Sequence, residues 1–220
     1  MKNDLFSIGP FTVHGYGLMI AIGVLSAYYM VEYRAKKKQM DWEKVFPLTV
    51  WSVLGGFLGS KILYLLTRLP DILANPALLG SSIKDGFVVY GGIIGGILTA
   101  WIYCKCTKWN FWKIFDIAMP AVAMAQGFGR IGCLLAGCCY GIELDPANPI
   151  GIVFHNSAYA PNDVALLPTQ IISSVLDFAN CFVLLALSKK LKTDGQVASC
   201  YLIFYSIGRF VLEYFRGDLI

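Results

Sequence analysis

Two arginines, Arg130 and Arg209, interrupt long apolar runs of this 220-residue sequence, in "FGRIGCLLAGCCYG" and "FYSIGRFVLEYF". A charge deep in a bilayer costs about 2.5–3.5 kcal/mol on insertion scales, so each needs a partner or a task. The planar guanidinium fork suits bidentate contact with a phosphate or carboxylate, and that contact strengthens where water is excluded. Two such forks at similar depth invite an anionic lipid headgroup. Helical spacing places Tyr201, Tyr205, Arg209 and Glu213 on one face. Tyr16 and Tyr90 fall near the ends of their own apolar runs, where a tyrosine by default joins the interfacial aromatic belt. Gly91, Gly92, Gly95 and Gly96 follow Tyr90, and Gly55, Gly56 and Gly59 occupy an earlier run. Such stripes either pack helices closely or let a headgroup approach bare backbone. Two structural readings stay open: Arg209 pairs with Glu213 at i+4, and Arg130 pairs with Asp177 or caps helix-end carbonyls. Lys61 lies nearer a helix end and can snorkel.

These groups need a scaffold, and the composition names its class. Hydrophobic residues make up 57% of the chain and charged residues 15%, against roughly one quarter charged in soluble domains. With about 20 apolar residues per spanning helix, the sequence predicts six spans, near 15–33, 47–66, 87–104, 115–139, 169–188 and 196–215. Pro70, Pro76, Gly141, Pro146 and Pro168 punctuate them. The expected fold is all-α, one polytopic membrane helix bundle over residues 1–220. The first helix is expected to be retained, because no cleavage site of small residues follows a short apolar core.

Basic residues set the expected orientation. Arg34, Lys36, Lys37, Lys38 and Lys44 share one loop, Lys105, Lys108 and Lys113 a second, and Lys189, Lys190 and Lys192 a third. The opposite side offers only Lys2, Arg68, Lys84 and Arg216. The positive-inside rule then puts the three basic loops in the cytoplasm and both termini outside. Arg130 and Arg209 lie about 22 Å and about 18 Å above the cytoplasmic helix ends at helical rise, in the outer half of the bilayer. The outer segment 141–168 carries Glu143, Asp145 and Asp163 and no basic residue, and reads equally as an entry lid or a solvated connector. A formal charge of +4 does not argue for nucleic acid, since topology accounts for the basic residues. Seven cysteines in apolar surroundings read as small buried hydrophobes rather than a disulfide framework. Cys133, Cys138 and Cys139 show no fourth metal ligand nearby in sequence, so no metal is expected.

Several motifs together resemble the bacterial prolipoprotein diacylglyceryl transferases: "FTVHGYGLMIAIG", "YGGIIGG", "PAVAMAQGFGRIGCLLAGCCYG", "PIGIVF", "LPTQ" and "GRFVLEYFRGD", in that order from about residue 9 to 218. The resemblance implies transfer of a diacylglyceryl group from phosphatidylglycerol to the cysteine thiol of a lipoprotein precursor, releasing glycerol phosphate, in the bacterial cell membrane and without cofactor. It assigns catalytic roles to Arg130, Arg209 and Tyr205, with Tyr90 at the place of the family's histidine. It implies substrate contacts at Tyr16, Gly91, Gly92, Gly141 and Gln170. The lining has changed: Cys133 and Ala136 stand for asparagines, Cys138 for a glutamate and Ser173 for another. This sequence stops at Ile220, where the family continues into a further spanning helix. With the histidine replaced, the base is open between Tyr90, His155 in the outer loop, and ionisation of the acceptor thiol by the arginine field alone. Two other functions remain: a paralogue serving a different acceptor, and a non-enzymatic lipid-binding or thiol redox protein.

Overall fold

The structure is a computed structural model describing residues 4–8, 11–75 and 86–218. Lys2, Pro76 and Lys84, which entered the sequence reading, lie outside the described residues. An antiparallel hairpin of β1 (Asp4–Ile8) and β2 (Phe11–His14) leads into α1 (Gly15–Lys37). The chain continues through α2 (Val45–Thr67), the short α3 (Leu69–Ala74), α4 (Val89–Thr107) and α5 (Phe111–Ala136). Two short strands, β3 (Ile152–Val153) and β4 (Ala165–Leu166), pair before α6 (Thr169–Leu187) and α7 (Gln196–Glu213).

Five helices are long and apolar enough to cross a membrane: α1, α2 with its preceding turn, α4, α5 and α6. They coincide with the first five expected spans. The sixth expected span forms α7, but Gln196, Arg209 and Glu213 lower its apolar content and it does not join the five. The architecture is that of an all-α polytopic membrane protein. Large hydrophobics such as Phe57, Ile94, Val175, Phe182 and Phe210 face outward, as a lipid-facing surface requires.

The chain divides into two compact units, Ala35–Ile114 and Met1–Arg34 with Phe115–Ile220. In the first, α2 and α4 meet through glycine. A Cβ on Gly59 would stand 2.3 Å from the Gly91 carbonyl oxygen, and one on Gly95 would stand 2.3 Å from that of Gly55. The bare backbones therefore touch, the close-packing outcome for the two stripes. Lys61 does not reach out freely: its Nζ donates to the Gly86 carbonyl at 3.0 Å and lies over the Phe87 ring. At the other end of this unit Leu48, Cys104 and Ile114 form a small core.

In the second unit α5, α6 and α7 pack through Met119, Ala123, Cys181, Leu184, Val197, Ala198 and Tyr201. Asp116 caps α7, accepting from Gly195 N and Ala198 N at 2.8 Å each. A carboxylate on the exposed amides of a helix start satisfies orphan donors and opposes the dipole. Arg34, counted with the basic loop, is instead buried in α1 within electrostatic reach of Asp116. On α6 the buried face is polar, with Thr169, Gln170, Ser173, Ser174, Asp177 and Asn180, whereas Ile171, Val175 and Phe182 face out. That inversion suits a helix with lipid on one side and a polar site on the other.

Segment 141–168 is folded onto the end of α5. Phe154, Ala160 and Leu166 bury against Leu134, Tyr140 and Val164, and His155 Nδ1 lies 2.7 Å from Asp163 Oδ1 at an exposed corner.

Candidate active site

The helix ends around the site are tied by backbone. Gly141 N donates to Leu167 O at 3.0 Å, Ile142 N to Phe215 O at 3.0 Å, and Gly217 N to Tyr140 O at 3.1 Å. Three segments, following α5, preceding α6 and following α7, thus form one small clamp. A Cβ on Gly141 would stand 2.6 Å from Leu167 O and 2.8 Å from Phe215 O. Gly141 is therefore a point of close backbone approach.

Arg130 of α5 and Tyr205 and Arg209 of α7 line one pocket together with Ser173, Asp177 and Asn180 of α6. Both arginines and Tyr205 therefore line the same pocket. Arg209 is tied to Glu213 by an ion pair, one of the two structural alternatives. Arg216 Nη1 stands 3.6 Å from the same carboxylate, and its fork donates to Asp218 at 2.8 Å on each arm. Arg130 differs: among the described residues it makes no ion pair within 4.0 Å and no hydrogen bond, although Asp177 lines the same pocket. A guanidinium partly withdrawn from solvent without a paired carboxylate is poised for an anion.

Asn180 supplies the complementary chemistry. Its side-chain amide is buried and, among the described residues, neither its donor nor its acceptor is satisfied. Leaving such a group unpaired costs about 1–3 kcal/mol, which a hydroxyl-bearing ligand would recover. Sequence reasoning singled out Asp177 only as an ion-pair partner and passed over Asn180. The signal was present: Ser173, Asp177 and Asn180 recur at helical spacing within an otherwise apolar span.

Tyr16 and Gln170 do not line this pocket. Tyr16 of α1 packs over Gly132 of α5, where a Cβ would meet its ring at 3.1 Å, and interacts electrostatically with Arg130. Gln170 is buried and donates from Nε2 to Cys138 O at 2.8 Å, so it anchors the loop after α5. Tyr90, Gly91 and Gly92 belong to the other unit: Tyr90 is 74% exposed at the start of α4, Gly91 packs on Gly59 and Gly92 on Ser60. The expected span 115–139 ends early, at Ala136 where Gly137 turns left-handed at φ 75°, and the helix begins earlier, at Phe111. Cys138 and Cys139 therefore lie in the loop. The Cys138 thiol donates to the Cys133 carbonyl oxygen at 3.7 Å.

A pocket with a bare guanidinium, a second arginine and a tyrosine inside a polytopic helix bundle agrees with the family resemblance, and comparison with known proteins decides it. The family model described as "Prolipoprotein diacylglyceryl transferase" matches residues 3–220. The chain belongs to this family. It is 44% identical over 219 residues to the phosphatidylglycerol–prolipoprotein diacylglyceryl transferase of Clostridium tetani, covering 99% of this chain and 86% of that protein. Against the protein named transferase 2 of Clostridium perfringens it is 43% identical, covering 99% and 84%. Against the Staphylococcus carnosus enzyme it is 32% identical, covering 97% and 78%. Like other prolipoprotein diacylglyceryl transferases, this one is a multi-pass protein of the bacterial cell membrane.

Proposed function

We propose that this chain transfers the diacylglyceryl group of phosphatidylglycerol to the thiol of a cysteine in the signal peptide of lipoprotein precursors, as the names of its relatives describe for them. The observation that carries the site assignment is Arg130, unpaired among the described residues, sharing its pocket with Arg209 and Tyr205. In this reading the acceptor thiolate attacks the glyceryl carbon next to the phosphate. A C–S bond forms, the C–O bond breaks, and its electron pair stays on the phosphate oxygen of the departing glycerol phosphate; the thiol proton is released.

Charge therefore develops on the leaving phosphate, where Arg130 has a fork available and Arg209 shares its charge with Glu213. One preorganised donor at such a position contributes on the order of 10²–10³ in kcat. Asn180 and Ser173 supply hydrogen bonds for the glycerol hydroxyls, and Tyr205 and Tyr16 flank the headgroup. The same positive field favours the thiolate form of the acceptor. Gly141 and Gln170 support the site by holding its backbone segments together, while Gly91 and Gly92 pack α2 against α4 within their own unit. The topology read from the basic loops, with the N-terminus outside, opens this pocket in the outer leaflet, where both a lipid and a membrane-inserted signal peptide arrive sideways.

The test is transfer by the purified chain from phosphatidylglycerol vesicles to a lipobox peptide, followed by mass spectrometry of the thioether product. The native chain is expected to modify the peptide and Arg130→Ala to lose at least a hundredfold in rate. Consumption of phosphatidylglycerol without peptide modification would overturn the acceptor, and equal rates in both proteins would overturn the site.

A further inference from the structure

The transfer reaction leaves Cys133, Cys138 and Cys139 without a task, yet the fold brings them together. Their convergence follows from how α5 ends. Cys138 N donates to Cys133 O at 3.1 Å and Gly137 N to Leu134 O at 3.2 Å, with Gly137 at φ 75°. This left-handed closure wraps the residue after the glycine back over the last full turn of the helix, so Cys138 comes to lie over Cys133. Cys139 is also left-handed, at φ 57°, and this second step brings its thiol round to the other two. The three Sγ atoms all lie within 4.8 Å of one another, and all three residues are partly buried free thiols. From this convergence we propose that the chain binds one thiophilic cation, Cu(I), through the Sγ atoms of Cys133, Cys138 and Cys139.

The donor set selects the ion. Thiolates are soft ligands and prefer Cu(I), whereas a structural zinc site takes four protein ligands. Among the described residues no histidine, aspartate or glutamate joins the trio, which leaves a three-sulfur site. Three sulfurs each about 2.3 Å from a central ion stand roughly 4.0 Å apart in a trigonal plane. Closing from the observed separations therefore moves the thiols by less than about 1 Å, within reach of side-chain rotation. Binding forms three Cu–S bonds, releases the thiol protons to solvent and leaves the oxidation state of the metal unchanged. The complex of one Cu(I) with three thiolates carries net negative charge.

Anaerobic titration of the detergent-purified full chain with Cu(I), in competition with a chromophoric Cu(I) chelator, tests this. The native chain is expected to retain one copper per molecule, and Cys133→Ser, Cys138→Ser and Cys139→Ser each to retain less than a tenth at the same chelator concentration. Cys106→Ser and Cys200→Ser, remote from the trio in sequence, are expected to match the native chain. Surrender of all copper by the native chain, or full retention by the triple serine variant, would overturn the proposal. Copper-edge X-ray absorption on the native chain gives a second readout that needs no variant: three sulfur neighbours are expected, and a shell of nitrogen or oxygen would overturn the site.

Discussion

Replacing Gly91 by alanine separates helix packing from headgroup contact at the glycine pair after Tyr90. The new Cβ would stand 2.3 Å from Gly59 O and 2.8 Å from Gly59 C, whereas ordinary contact begins at 3.4 Å. Leu63 Cβ would also lie 2.7 Å away; the Gly59 obstacle is main chain and a Cβ is fixed to it, so α2 and α4 must part by about 1 Å, an overpacking strain of about 1–3 kcal/mol. Alanine returns about 0.5–1 kcal/mol in a helix interior because it restricts the unfolded chain more than glycine does. The net loss is up to about 2.5 kcal/mol, which for a chain of this size lowers Tm by up to about 10 °C. Gly96 is the control on the same helix: its Cβ would meet only Ser52 O at 3.5 Å, so Gly96→Ala is expected to be neutral or stabilising by up to about 1 kcal/mol. Gly92→Ala should fall between the two, since the 2.5 Å clash is with the Ser60 hydroxyl, which can rotate away. Thermal unfolding followed by tryptophan fluorescence in one detergent ranks the three variants. A Tm for Gly91→Ala equal to or above that of Gly96→Ala would refute the packing argument.

Gln170→Ala removes the bond to Cys138 O and leaves that carbonyl without the amide; a loss of about 1–3 kcal/mol is expected in the same unfolding assay. Asp116→Ala uncaps α7 at Gly195 and Ala198 and should cost about 1–3 kcal/mol, with Asp116→Asn retaining part because one oxygen still accepts. Gly141→Ala drives a Cβ against Leu167 O and Phe215 O, so loss of stability by about 1–3 kcal/mol should accompany any loss of transfer; full thermal stability with lost transfer would instead return Gly141 to direct substrate contact.

The spans were legible because lipid demands long apolar helices, and a sequence of this hydropathy offers few other ways to satisfy its backbone. Arg130 and Arg209 stood out for the complementary reason: charge in an apolar run is costly enough to mark a site. What escaped was set by tertiary context. Asn180 looks like any polar residue of a helix until α6 is seen to turn its polar face inward toward Arg130. Gln170 and Gly141 matched family positions, but only the backbone clamp showed them holding segments together. The extent of α5 was overrun at its end because apolar Cys138 and Cys139 continue the hydropathy past Gly137, where the left-handed turn stops the helix. α7 forms as expected, yet Arg209 and Glu213 pair within it, and this polar content separates it from the five more apolar helices.

The central claim is that Arg130 holds the phosphate on which charge develops. Its most direct measurement is kcat/KM for phosphatidylglycerol in Arg130→Gln against the native chain, with thermal unfolding confirming that both are folded. The account predicts a loss of about 10²–10³, carried mainly by kcat. A folded Arg130→Gln protein within threefold of the native value would contradict it.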